Sequence, residues 1–288
     1  MRFNNIQLKR TVNVVLFFLL LSAVGVTKAF AQSFTVGKLN YSVNSDGVSV
    51  TVTGPVHGQA TGELLIPETV TYNESTYSVT AIGSWAFYNC TGFTGNLVIP
   101  NSMTTIGDYA FRNCTNFSSV EYNATDCADA SEYPFLNCGG TLTIGENVER
   151  IPANMFHYNE AFTGSLIIPN SVTTIGYNAF RECTGFTGNL VIPNSVTAIG
   201  EYAFKDCTGF SSVEYNATDC ADAEWYSPFE NCGGTLTIGE NVERIPAYMF
   251  KEAMFTLILS HAEIPPTIGT YAFYGIDHDI PVTCLVAR

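Results

Sequence analysis

Leu97-Val-Ile-Pro-Asn-Ser-Met-Thr-Thr-Ile-Gly-Asp-Tyr-Ala-Phe-Arg-Asn-Cys-Thr-Asn-Phe117 is the stretch that decides the fold. Leu97 and Ile99 alternate with Val98, as a half-buried strand requires. Pro100-Asn101-Ser102 then turns the chain. A second extended piece, Met103 to Ile106, runs to Gly107, which is placed to make a corner. In the following GDYAFRNC, Ala110, Phe111 and Cys114 are spaced to share one face of a short helical turn. One such unit cannot bury its own apolar face, so the reading requires neighbours above and below it.

Those neighbours are in the sequence. IGDYAF recurs as IGSWAF, IGYNAF, IGEYAF and IGTYAF, with weaker copies IPANMF, IPAYMF, SEYPF and WYSPF. The aromatic of each copy gives Phe87, Phe111, Phe135, Phe156, Phe180, Phe204, Phe229, Phe250 and Phe273, at steps of 24, 24, 21, 24, 24, 25, 21 and 23 residues. A period in the low twenties is one coil of a solenoid. The expected fold is therefore a β-rich, right-handed solenoid of about nine coils of 21–25 residues, leucine-rich-repeat-like in its α/β character. It carries a parallel strand face, short helical turns, and an internal column of the nine phenylalanines.

A longer cycle overlies the short one. Residues 92–102 (GFTGNLVIPNS) recur unchanged at 185–195, and residues 117–130 (FSSVEYNATDCADA) at 210–223. Residues 137–153 (NCGGTLTIGENVERIPA) recur at 231–247, an offset that grows from 93 to 94 at an insertion near Trp225. Residues 63–288 thus read as a solenoid with a duplicated four-coil block. Residues 32–62 read as a β cap, a hairpin turning at Asn44-Ser45-Asp46-Gly47. Tyr72 to Tyr77 reads as a second small hairpin.

Arg2, Lys9 and Arg10 precede an apolar run from Val12 to Val26 and then Ala29-Phe30-Ala31, the pattern of a secretory signal peptide over residues 1–31. The alternative is an uncleaved anchor, for which the apolar core is short. No later segment reads as a membrane span. The whole chain carries a net charge of −14, and cutting after Ala31 leaves 8 basic and 26 acidic side chains, net −18. Such a surface repels nucleic acid and anionic lipid.

The pattern LxIPxxVxxIGxxAFxxCxxF, carried by residues 97–117 and again by LIIPNSVTTIGYNAFRECTGF at 166–186, resembles the BspA-like leucine-rich-repeat surface proteins of host-associated anaerobic bacteria. The resemblance spans roughly residues 60–275. It implies an extracellular solenoid, secreted or displayed at the cell surface, and an adhesin-like role in binding host matrix proteins or host cells. This chain departs from longer relatives in having no obvious anchoring tail before Arg288.

Six of the nine cysteines, Cys90, Cys114, Cys138, Cys183, Cys207 and Cys232, follow their Phe by three residues, an inward position where a free thiol packs well. Bridges Cys127–Cys138 and Cys220–Cys232 are the alternative, although one pair is 11 residues apart and the other 12. Cys284 is left over. Zinc-ligand spacings are missing, and Asp277-His278-Asp279 reads as a solvated loop rather than a cation site. No phosphate loop or dinucleotide fingerprint occurs, so no cofactor is expected. Carboxylates recur from coil to coil, Glu121 with Glu214 and Glu146 with Glu240, which points to a displayed surface more than to one acid–base pair.

The outward strand row is the candidate ligand-binding face: Val98, Glu121, Thr143, Ile167, Val191, Glu214, Thr237 and Ile258. The same row could equally serve only to keep the sheet soluble and paired. Trp85 and Trp225 are expected to pack beside the phenylalanines, with Trp225 and Tyr226 in the insertion as the more exposed pair. The expected function is non-enzymatic binding of a host protein or glycan by a monomer. Structural assembly through end-to-end stacking is the second reading, and a secreted hydrolase is a distant third.

Overall fold

A computed structural model of the chain describes residues 32–277 and 279–284. The signal-peptide reading of residues 1–31 and the His278 part of the acidic loop lie outside the described residues.

Two rows of parallel strands run along the solenoid. The longer strands form two five-stranded sheets. The first takes Gly62–Glu63, Phe93–Ile99, Phe117–Tyr122, Gly140–Ile144 and Phe162–Thr163; the second takes Gly188–Ile192, Phe210–Tyr215, Gly233–Ile238, Met254–Ser260 and Val282–Cys284. Register follows the repeat: Leu97 pairs Val120 and Val120 pairs Leu142, while Val98 pairs Glu121 and Glu121 pairs Thr143. The first set is fully or almost fully buried and the second faces outward, so the alternation of the sequence sorts core from surface.

Between Phe162–Thr163 and Gly188–Ile192 the long sheet is interrupted, and only a bridge between Gly164 and Phe186 crosses the gap. The gap falls at the boundary between the two blocks. Two-residue strands such as Arg150–Ile151, Thr174–Ile175 and Ala198–Ile199 make the second row.

The segment after each second strand is not helical. The αL conformation recurs every four residues, as at Tyr109 (φ 54°) and Asn113 (φ 60°), or Asn178 (φ 53°) and Glu182 (φ 58°). Local bonds close the turns, with the N–H of Ala110 donating to Gly107 at 3.2 Å and that of Cys114 to Phe111 at 3.1 Å. The intervening N–H groups instead point along the stack: Trp85 to Asp108, Phe87 to Ala110 and Asn89 to Arg112, at 2.8–2.9 Å. A helix would consume those donors internally, whereas tandem turns leave every second one free to link coils.

All nine phenylalanines stack as one column. Successive ring centroids from Phe87 to Phe273 are 5.1, 5.1, 5.4, 5.3, 5.4, 5.2, 5.3 and 5.6 Å apart. The first eight are fully buried, and Phe273, in the last coil, is half-buried. The two steps with rings tilted by 36° and 40°, Phe135 to Phe156 and Phe229 to Phe250, are the 21-residue steps of the two blocks. A second column runs beside it, with Phe93 on Phe117 and Phe162 on Phe186 on Phe210.

The glycine of IGxxAF is required by proximity. A Cβ on Gly176 would meet the backbone nitrogen of Ala153 at 2.5 Å, so the corner sits directly on the preceding coil. At the N-terminal end, Ser33–Val36, Leu39–Val43 and Ser49–Pro55 form an antiparallel meander whose last strand joins Ser75–Ile82 in parallel. Thr69–Tyr72 and Ser75–Ile82 form the second hairpin, turning through Asn73 and Glu74 with φ of 47° and 65°.

The bridges Cys127–Cys138 and Cys220–Cys232 are not formed: all four thiols are free and buried. Cys127 instead lies beside the buried hydroxyl of Tyr122, and Cys220 beside Tyr215, while Cys138 and Cys232 belong to the thiol row behind the phenylalanines.

Candidate functional site

The outward strand row assembles as two equivalent patches. Val98, Glu121 and Thr143 are adjacent in the first block, and Val191, Glu214 and Thr237 in the second. Ile167 stands between them in the interrupted segment, 71% exposed. Ile258 does not belong to the row. It pairs with Leu236 of the inward row, and Leu259 takes the place beside Thr237. A register shift between Gly234 and Thr235 causes the offset, since a bulge moves every later side chain by one position.

Each patch continues into a polar groove along the turn that follows the strands. In the second block a cavity of about 640 Å³ is lined by Val191, Asn194, Glu214, Asn216, Thr237 and Asn241, among others. In the first block a smaller one of about 270 Å³ is lined by the equivalent Val98, Asn101, Asn123, Gly145 and Asn147. The amide of Asn123 donates to Glu121 Oε1 at 2.8 Å, and that of Asn216 to Glu214 Oε1 at 2.8 Å. Ser119 Oγ donates to Asn96 Oδ1, and Ser212 Oγ to Asn189 Oδ1, both at 2.8 Å. The amides are therefore oriented before any ligand arrives.

Gly145 and Gly239 make that orientation possible. A Cβ at either would lie 2.2 Å from Oδ1 of Asn123 or Asn216. Strand alternation finds Glu121 and Glu214 but misses this asparagine rim. Its signal is an Asn just after each strand at the coil period: Asn101, Asn123, Asn147, Asn170, Asn194, Asn216 and Asn241.

The grooves expose hydroxyls, amides and carboxylates, and His261 adds an imidazole to the second. The amides and hydroxyls of this surface form hydrogen bonds with neutral polar groups, and its carboxylates offer no pairing for a phosphate or sulfate. Among the described residues no group of three or more His, Cys, Asp or Glu is placed to hold a metal ion. The Asp277 carboxylate accepts the N–H of Asp279 at 3.1 Å, and its carbonyl that of Ile280 at 3.4 Å.

The opposite, turn-bearing side differs in chemistry. Trp85 is 47% exposed and does not pack into the phenylalanine column as expected, while Trp225 and Tyr226, 69% and 47% exposed, are the exposed pair of the insertion. Trp85 rests on Tyr109 at 4.4 Å, and Arg112 lies over the rings of Trp85, Tyr88 and Tyr109 at 6.0, 5.7 and 5.2 Å. The repeat signature of the "BspA type Leucine rich repeat region" matches six copies over residues 68–187 and 149–279.

The chain belongs to the BspA-type leucine-rich-repeat family.

Solved structures similar to this BspA-type protein include a T. pallidum leucine-rich-repeat protein. It is 19% identical with a TM-score of 0.49, over 64% of this chain and 86% of the other. A leucine-rich-repeat protein from Bacteroides capillosus is 24% identical, TM-score 0.34, over 49% and 84%. A leucine-rich cell surface protein from Faecalibacterium prausnitzii is 19% identical, TM-score 0.32, over 89% and 96%. Curated proteins gave no match. Among the described residues of this BspA-type protein no helix is long and apolar enough to cross a membrane.

Proposed function

We propose that the protein is a non-enzymatic binding module, secreted or held at the cell surface, that recognises a host protein or glycan through the paired grooves of its strand face. One observation carries this reading: six residues of the groove are kept identical in the two blocks while the turn side changes. Val98, Asn101, Glu121, Asn123, Gly145 and Asn147 become Val191, Asn194, Glu214, Asn216, Gly239 and Asn241 without a change of residue. On the turn side, Arg112 becomes Lys205, Leu136 becomes Glu230 and His157 becomes Lys251. The two grooves lie four coils apart, about 19 Å at a strand spacing of about 4.8 Å. That arrangement suits an extended partner that presents the same polar group twice, with avidity as the gain.

The test is a screen of residues 32–288 against host matrix proteins and a glycan array, repeated with Asn123→Ala/Asn216→Ala and with Glu121→Lys/Glu214→Lys. Ligands lost in both double variants, with unfolding unchanged, support the reading. Variants that stay folded and bind every ligand as the parent does would overturn it.

The second reading, assembly, is favoured by an apolar cavity of about 420 Å³ in the last coils, lined by Ile245, Ile258, Ile268, Phe273, Ile276 and Val282 among others. Light scattering across concentrations decides it, since a persistent monomer argues against assembly.

A further inference from the structure

The turn side carries a stripe of aromatic rings that the strand-face reading does not use. Trp85, Tyr109, Tyr202, Tyr248 and Tyr271 occupy the same motif position, one before the Ala or Met of each copy, and all five have φ between 54° and 60°. Bulky residues rarely adopt that conformation, and Asn accepts it more readily, as Asn154 and Asn178 do at the same position. Rings kept where the backbone resists them point to a role for the rings themselves.

The stripe already shows what it attracts. The residue after Phe is Arg or Lys in four copies; three of these cations lie over the stripe and the fourth over the neighbouring Tyr226. Arg112 covers Tyr109 at 5.2 Å, Arg181 covers Tyr202 at 5.5 Å, Lys205 covers Tyr202 at 4.7 Å and Lys251 covers Tyr226 at 5.9 Å. Carboxylates complete the arrangement, with Lys205 2.6 Å from Glu230 and Lys251 3.6 Å from Glu252. A cation between a ring face and a carboxylate is thus the recurring pairing on this side.

In the last coils the same chemistry is turned outward. Trp225, Tyr271 and Tyr274 are 69%, 53% and 59% exposed. Tyr248 joins them, 6.4 Å from Trp225 and 5.4 Å from Tyr271, and Tyr274 meets Tyr271 edge-on at 5.5 Å. Position 274 is where four of the other eight copies place Arg or Lys. Glu201 Oε1 accepts the N–H of Trp225 at 2.9 Å and fixes the insertion, Glu224 is exposed beside it, and Glu252 donates its N–H to the carbonyl of Tyr274 at 2.7 Å. Exposed electron-rich rings with carboxylates alongside, on a chain of net charge −14, are complementary to guanidinium and ammonium groups.

We propose that Trp225, Tyr248, Tyr271 and Tyr274 form a second binding surface, separate from the strand-face grooves, that takes the Arg and Lys side chains of a basic polypeptide segment. Trp, Tyr and Arg are the residues that carry most binding energy between proteins, which favours a polypeptide over a sugar chain.

The probes are octa-arginine, octa-lysine and octa-glutamate peptides and neutral oligosaccharides, titrated into residues 32–288 by calorimetry. Octa-arginine should bind more tightly than octa-lysine, and octa-glutamate should not bind. Tyr271→Ala/Tyr274→Ala leaves every charge in place and should weaken octa-arginine binding about tenfold. Trp225→Ser, at the most exposed ring, gives the same reading independently if the double variant does not fold. A change below twofold in the folded variants would mean that net charge alone draws the peptide and would overturn the proposal. Binding of neutral oligosaccharides with the same ring dependence would also overturn it, in favour of a glycan.

Discussion

The thiol of Cys183 donates to the carbonyl oxygen of Phe156, 3.0 Å away and one coil earlier. Cys114 does the same to Phe87, Cys207 to Phe180 and Cys232 to Phe204, at 2.8–3.0 Å. In the coil where Asn159 stands at this position, its amide reaches the carbonyls of Phe135 at 2.6 Å and Cys138 at 3.0 Å, and its Oδ1 accepts the N–H groups of Ala161 and Phe162. The cysteine row therefore donates to the preceding coil, and any small donor that fits can replace it.

Asn159→Ala should consequently cost about 1–3 kcal/mol, because it leaves buried backbone groups without partners. Cys183→Ala should cost about 1 kcal/mol, since the Phe156 carbonyl loses only a weak thiol donor. Urea unfolding of the two variants gives the comparison, and the larger loss belongs to Asn159→Ala.

Burial also holds these thiols neutral, with Cys114 and Cys207 pushed up from 9.0 to about 12. The unfolded chain ionises at the ordinary value, so the folded state is favoured fully below pH 9 and loses that advantage as pH rises from about 9 to about 12. Unfolding midpoints measured under reducing conditions across that range should fall, and should fall less in Cys114→Ala/Cys207→Ala. In native protein at pH 8, iodoacetamide should label half-buried Cys90 before the buried members of the row.

His157 predicts the opposite limb. Its ring is 2% exposed, both nitrogens are buried without hydrogen-bond partners, and it stacks on Tyr158 at 4.1 Å with Tyr133 edge-on. Burial, and then the Arg181 guanidinium, push its pKa from 6.5 down to about 3. Stability is thus intact above pH 6.5 and declines as pH falls toward 3, because the unfolded imidazole takes up the proton first. His157→Phe should flatten the dependence of the unfolding midpoint between pH 6.5 and pH 4; an unchanged slope would refute this account.

The phenylalanine column was legible because a ring recurring once per coil has only its counterparts to stack on, and all eight steps fall between 5.1 and 5.6 Å. The tandem turns were not. Ala110, Phe111 and Cys114 share a face in a helix and equally in turns that repeat every four residues, and only the backbone donors tell the two apart. The register of Ile258 was hidden for another reason: spacing counted from the phenylalanines cannot reveal a bulge at Gly234. At the candidate face, alternation picks out Val98, Glu121 and Thr143, but the asparagine rim depends on how a turn folds back over Gly145.

Phe180→Ala should cost about 3–5 kcal/mol, the range for emptying a fully packed aromatic site. Phe273→Ala, at a half-buried ring, should cost clearly less. Calorimetric unfolding separates them, and equal losses would mean that the rings do not act as one column.

Gly176→Ala should destabilise by about 1–3 kcal/mol, since the new Cβ meets backbone at 2.5 Å. Gly145→Ala meets first the tip of the Asn123 side chain, at 2.2 Å, and the Tyr122 carbonyl only at 3.3 Å, so it should cost less than Gly176→Ala while displacing that amide from the groove. Thermal unfolding read beside ligand binding tells the two effects apart.

The interrupted sheet beside Ile167 has a mechanical corollary. Tension along the stack is shared by backbone bonds everywhere in the long sheets, but between Thr163 and Gly188 a single bridge from Gly164 to Phe186 stands in for a strand pair. The short strands Arg150–Ile151, Thr174–Ile175 and Ala198–Ile199 stay paired across the same seam, so under tension the long-sheet side should open there first while the short-strand side holds the two halves together. The seam between the two repeated blocks would then act as a hinge, flexing before either candidate groove is disturbed.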